Sequence, residues 1–236
     1  MKDETNRRKG RQKMGKKLYD IRIIFRKIYV CMRRLYVSQR IKRSNISIIS
    51  NNCMGAEICH SLGMRFNSPT VNLQIMPEDY IRFCSNLTHY LKEDIQECTK
   101  FTPHQRQMIR KEFERDVEEL LFPFGLCGDI LIAFQHYQSF EKAKADWERR
   151  RSRVNLSCCG IILTVDQKYE KEAVLFDRLG FTEKVLLTVN WSAQLPNTRT
   201  ISLDKPKGIH YFEYQSLFKK YYERNFNIAK WVIGLT

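Results

Sequence analysis

The chain has 236 residues, 43% of them hydrophobic, and a formal net charge of +15, a length that suits one large α/β domain or two small ones. The charge is uneven: residues 1–43 hold sixteen Lys and Arg against three acids, a surplus of thirteen, and the remainder carries only +2. The basicity therefore describes what an amino-terminal arm touches, and it argues against a nucleic-acid-binding globular domain.

Residues 1–16 read as a disordered basic tail that is too polar to begin a signal peptide. Residues 17–37 read as a helix, because Leu18, Ile21, Phe25, Ile28, Met32 and Leu35 step by three and four along one face. Arg22, Arg26 and Arg33 gather on a flank, and Ile23 and Val30 interrupt the basic side. Such a helix either lies on an anionic membrane surface or packs on its own domain with a solvated basic face. No run reaches the roughly 18 apolar residues of a membrane span. The eight cysteines follow neither a disulfide-scaffold nor a zinc spacing, so the expectation is a cytoplasmic protein with reduced thiols.

From residue 44 strands and helices alternate. A strand at 46–50 leads through Ser50-Asn51-Asn52-Cys53 and Gly55 into a helix at 54–62, and an extended run covers 71–75. Helices are expected from Pro77 and over 103–121. A turn is expected at 124–128, a strand at 130–134, a helix from Ser139 to 153 and a strand at 159–165. A helix near 168–179, a strand at 184–189 and a loop with one or two short strands over 191–214 follow. Helices at 214–222 and 228–233 close the chain. The pattern predicts an α/β fold, a mostly parallel or mixed sheet flanked by helices and preceded by the basic amphipathic helix. Its domains would be 1–43 and 44–236.

Several expected strands end in polar residues: Ser50 to Cys53, then Gln135-His136-Tyr137, then Thr164 and Asp166, then Asn190. If these strands are parallel, their carboxyl ends share one edge, where open α/β sheets bind ligands. Asn51 and Asn52 are either ligands for a phosphate or sugar hydroxyl, or turn-forming residues. Cys53, just before a helix, is either a nucleophile or a buried structural thiol. His136 is the candidate general base and His60 a packed or surface residue. Asp166 binds a ribose hydroxyl or metal, or caps a helix. Arg149 and Arg153, one turn apart, either grip a phosphate or complement the helix dipole.

The string Ile49-Ser50-Asn51-Asn52-Cys53 with Gly55, followed by Leu62-Gly63, Phe66, Asn67-Ser68-Pro69-Thr70-Val71 and Asp79-Tyr80, resembles an uncharacterised bacterial family. The likeness continues through Gly125, Asp129-Ile130, Phe134, His136-Tyr137, Ser139, Ala143, Trp147, Arg149-Arg150, Arg153 and Asn155 to Phe226, Lys230-Trp231 and Gly234, over about residues 44–236. Members carry a domain of unknown function and are usually described as exopolysaccharide biosynthesis proteins. The resemblance implies an α/β fold and an association with capsule or exopolysaccharide gene clusters. It implies no established reaction and no agreed catalytic residues. Cys158-Cys159-Gly160 departs from the bulkier residues common there.

The expected function is a transferase of polysaccharide assembly acting on a phosphate-linked sugar at the inner face of the plasma membrane. His136 and Cys53 would be catalytic, and Ser50, Asn51, Asn52, Tyr137, Arg149, Arg153 and Asp166 would bind the ligand. The alternative is a non-enzymatic accessory protein that binds a glycan precursor or an assembly enzyme. No P-loop, Gly-rich dinucleotide fingerprint or Asp-x-Asp motif is present, and the cofactor is left unknown. The expected partners are a sugar-phosphate or lipid-linked glycan precursor and an anionic membrane surface through residues 1–43, with no specific nucleic acid.

Overall fold

Residues 2–41, 45–203 and 226–236 are described in a computed structural model. Helix α1 (Lys2–Ile41) comes first, followed by β1 (Ser47–Ser50), α2 (Met54–Leu62), β2 (Gln74–Ile75), α3 (Pro77–Ser85) and α4 (Leu87–Tyr90). Then come β3 (Ile95–Glu97), α5 (Pro103–Phe113), β4 (Phe124–Cys127), β5 (Ile130–Ala133) and α6 (Phe140–Arg151). The chain continues with β6 (Cys159–Asp166), α7 (Glu170–Asp177), β7 (Lys184–Val189), β8 (Arg199–Leu203) and α8 (Ile228–Gly234). The helix expected at 214–222 lies outside the described residues.

The strands form two sheets. The first has the order β1-β6-β7-β8 and every pairing in it is parallel. Both faces are covered, which is why β6 and β7 read as nearly continuous apolar runs. Ile161, Leu163, Val165 and Leu186 point to one side, into a core with Trp147 of α6 and Ala173 and Phe176 of α7. Ile48, Ile162, Val185 and Leu187 point to the other, into a core with Val37 of α1, Ile58 and Leu62 of α2, and Trp231 and Val232 of α8. Gly160 is required there: a Cβ would stand 2.6 Å from Trp231 Cζ2.

The second sheet, β2-β5-β4-β3, is antiparallel. The 130–134 segment was expected among the parallel strands, and the structure corrects this. It pairs with β4 through a two-residue hairpin in which Gly128 has φ +60°, the left-handed geometry such turns need. The expected turn at 124–128 is strand up to Cys127, and Gly125 serves packing, since a Cβ would meet the Phe134 and Phe140 rings at 2.9 Å. Helix α5 ends at Phe113, short of the expected 121, because Glu114 turns left-handed at φ +56°.

Helix α1 begins at Lys2, so the stretch expected as a disordered tail is helical. Lys and Arg are good helix formers, and no proline occurs before Pro69. Val37 is fully buried against the domain, and Arg34 donates to the His60 and Ser61 carbonyls at 2.9 and 3.3 Å, fixing α1 to the end of α2.

Candidate functional site

At the carboxyl end of β1 the chain makes the expected tight turn, but its polar groups close the turn itself. Ser50 Oγ donates to the Asn52 carbonyl at 2.5 Å and accepts from the Gly55 N–H at 2.9 Å. Asn52 Oδ1 accepts from the Met54 N–H at 3.0 Å. Two amides at the α2 amino terminus that a ligand would use are thus already satisfied. Asn51, fully buried, donates to the Thr164 carbonyl at 3.1 Å and accepts from the Thr164 N–H at 2.8 Å, riveting β1 to β6. Its own carbonyl accepts from Ile75 N–H at 2.8 Å, joining the two sheets. Ser50, Asn51 and Asn52 are thus tied into the fold by these bonds.

Cys53 lies against the backbone amides of Asn72 and Leu73. Burial, reinforced by the Glu57 carboxylate, pushes its thiol up to about 11, so it stays protonated near neutral pH and lacks the thiolate a nucleophile needs. Asp166 caps the turn after β6, accepting from Lys168 N–H at 3.1 Å and pairing with Lys168 Nζ at 3.3 Å. His136 is exposed beyond the end of β5 and directly precedes Tyr137. Residues 71–75 run between the 50–53 turn and β5: the Leu73 amide meets Cys53, and Gln74 pairs with Ala133.

A second polar assembly lies at the opposite end of β1. The buried guanidinium of Arg150 donates to Tyr137 Oη at 2.8 Å and to Asp146 at 2.9 Å, and stands 5.9 Å from the Phe66 ring centroid. Tyr137 Oη also donates to Asp146 at 3.1 Å, and Arg149 holds the other Asp146 oxygen at 2.5 Å. Arg153 is held below its ordinary guanidinium value, first by partial loss of solvent and then by the positive charges of Arg65, Arg149 and Arg150. Two arginines thus hold one carboxylate, Asp146, with Arg153 and, next to it, Arg65 adding unmatched positive charge.

Their position in the fold is fixed by backbone contacts. The Arg153 carbonyl accepts from Asn45 at 3.3 Å, and Asn155 N–H donates to Ser47 Oγ at 2.9 Å. Arg149 and Arg153 were expected beside Asn51. They stand instead at the amino end of β1, about 13 Å of strand away, because α6 runs back before entering β6. Of the expected ligand-binding residues, Tyr137, Arg149 and Arg153 come together, while Ser50, Asn51, Asn52 and Asp166 do not join them.

Arg65 and Arg150 complete the cluster and were missed. Arg65 is a lone basic residue in a loop, and Arg150 falls within a run of three arginines whose burial no local pattern reveals. A further polar knot was also missed. Glu112 of α5 accepts from Gln74 Nε2 at 2.7 Å and from Tyr169 Oη at 2.6 Å, and burial raises its carboxyl above the usual range. Among the described residues, no group of three or more His, Cys, Asp or Glu side chains could hold a metal ion, and no helix is long and apolar enough to cross a membrane.

The fold and the arginine cluster define an α/β protein with a parallel sheet, an antiparallel companion sheet and a local surplus of guanidinium charge. The chain belongs to the family described as "Domain of unknown function (DUF1919)", which matches residues 24–233. It is also similar to an uncharacterized protein of Haemophilus influenzae (strain ATCC 51907 / DSM 11121 / KW20 / Rd), with 30% identity over 206 residues. That match covers 84% of this chain and 91% of the relative.

Proposed function

We propose that the protein binds a phosphate-linked sugar of capsule or exopolysaccharide assembly and acts on it as a transferase at the cytoplasmic side of the membrane. One observation carries the reading: Arg149 and Arg150 converge on the single carboxylate of Asp146, and Arg153 stands beside them within reach of the charges of Arg65, Arg149 and Arg150. Guanidinium forks match phosphate oxygens and stay charged at any physiological pH. Arg150, fixed by Tyr137 and Asp146, gives the site a rigid floor, and Arg65, Arg149 and Arg153 close on the anion. The exposed imidazole of His136, next to Tyr137, is the base in this scheme.

A second reading, an accessory protein that binds the same precursor without transforming it, draws support from the 50–53 corner, where the amides are spent on backbone and the Cys53 thiol is protonated. Titration calorimetry with uridine diphosphate glucose and with inorganic pyrophosphate tests the shared premise. Arg153→Ala should weaken binding about tenfold or more, and affinity should fall as salt rises. Equal affinity of wild type and variant removes the proposal. A producing strain carrying His136→Ala separates the two readings: lost polymer with binding intact supports transfer, and normal polymer supports the accessory role.

A further inference from the structure

Helix α1 turns its most apolar side away from the protein. Ile21, Ile24, Phe25, Ile28, Tyr29, Met32, Leu35 and Tyr36 are all exposed, Phe25 at 67% and Met32 at 64%, and they make up eight of the twelve exposed large hydrophobics among the described residues. At 3.6 residues per turn they form one stripe, and Val30, Val37 and Ile41 lie roughly on the opposite side. That opposite side meets the domain: Val37 is fully buried, and Ile41 packs against the same core. The helix is thus held by its back, with its apolar front in water. Arg26 and Arg40, both exposed, and Arg33 line one flank of the stripe, and Arg40 stacks over the Tyr36 ring at 5.0 Å.

We propose that α1 lies in the interface of an anionic lipid bilayer, its apolar stripe at the headgroup–acyl boundary and its arginines on the lipid phosphates. Charge selects this occupant. Residues 1–43 carry a surplus of thirteen positive charges, and the rest of the chain is nearly neutral. A second copy could meet the stripe through its three-and-four spacing, but that pairing would bring two such arms together, whereas a negative surface neutralises one. Aromatic and aliphatic side chains on one side, cations on the flank and no capacity to span the bilayer are the marks of a helix lying in the membrane plane. The inference is independent of the arginine cluster and of any transferase activity.

The test is flotation of the full-length protein with vesicles of phosphatidylcholine alone and with one-third phosphatidylglycerol, at low and at 0.5 M salt. Phe25→Ser/Met32→Ser and Arg26→Glu/Arg40→Glu serve as variants. All four side chains are exposed, so thermal melting should match wild type. Binding should require phosphatidylglycerol, weaken at high salt, and fall at least tenfold in both variants. Equal partition onto neutral vesicles, or variants that float like wild type, would overturn it. So would sedimentation equilibrium showing a dimer that Phe25→Ser/Met32→Ser dissolves, together with no vesicle binding; this outcome assigns the stripe to a second copy.

Discussion

Asn51 carries more of the fold than any other polar side chain at the β1 turn. Its amide supplies both partners of the Thr164 backbone in a fully buried position. Asn51→Ala leaves a buried N–H and a buried carbonyl unpaired, so it should lower unfolding free energy by about 2–4 kcal/mol in urea denaturation. The turn around it was legible in sequence, since Ser, Asn, Cys and Gly between a β-branched run and a helical pattern announce a strand–turn–helix junction. The direction of the Asn51 amide was not legible. Its partner lies on β6, far along the chain, and the same residue type would serve a ligand equally well.

At the scale of elements, α8 and the parallel sheet meet where β6 has no side chain. Gly160→Ala puts a methyl group against the Trp231 ring and should cost about 1–3 kcal/mol, read as a lowered urea midpoint. The Cys158-Cys159-Gly160 entry to β6 thus turns out to be a packing device. Most helices and parallel strands could be read from periodicity and caps: α2, β7 and the start of α3 fall where expected, and the Thr102 capping box opens α5. The antiparallel sheet could not. β2 falls within the extended run expected at 71–75, but β3 buries a single residue and β4 is short, so neither shows an alternation long enough to separate it from loop. Missing that sheet put β5 among the parallel strands, while the return of α6 toward β6 carried the arginines to the other end of β1. For α1 two placements were open, and the structure separates its faces: Ile23 and Val30, on the basic side, share a side with Val37, the residue that docks the helix.

For the whole molecule, the buried thiols set an alkaline limit. Burial raises Cys53 to about 11 and Cys59, Cys127 and Cys159 to about 12, from an ordinary value of 9.0. The folded chain therefore holds these protons while the unfolded chain releases them. The stabilisation is complete below pH 9 and is lost progressively as pH rises toward 12. Tm should be flat in this respect up to about pH 9 and decline above it; Cys→Ser replacement at 53 and 59 should make the decline shallower. The outer rim of β1 has a different consequence. Among the described residues that strand pairs only with β6, and on its other side the Ile46 carbonyl is met by the Asn67 amide and the Ser50 N–H by the Thr70 hydroxyl. Two short side chains thus occupy part of this rim without presenting a ladder of their own, which leaves an incoming strand less to copy. This edge is thereby made a poorer template for edge-on stacking into fibrils, a protection that depends on Asn67 and Thr70 and asks nothing of the core.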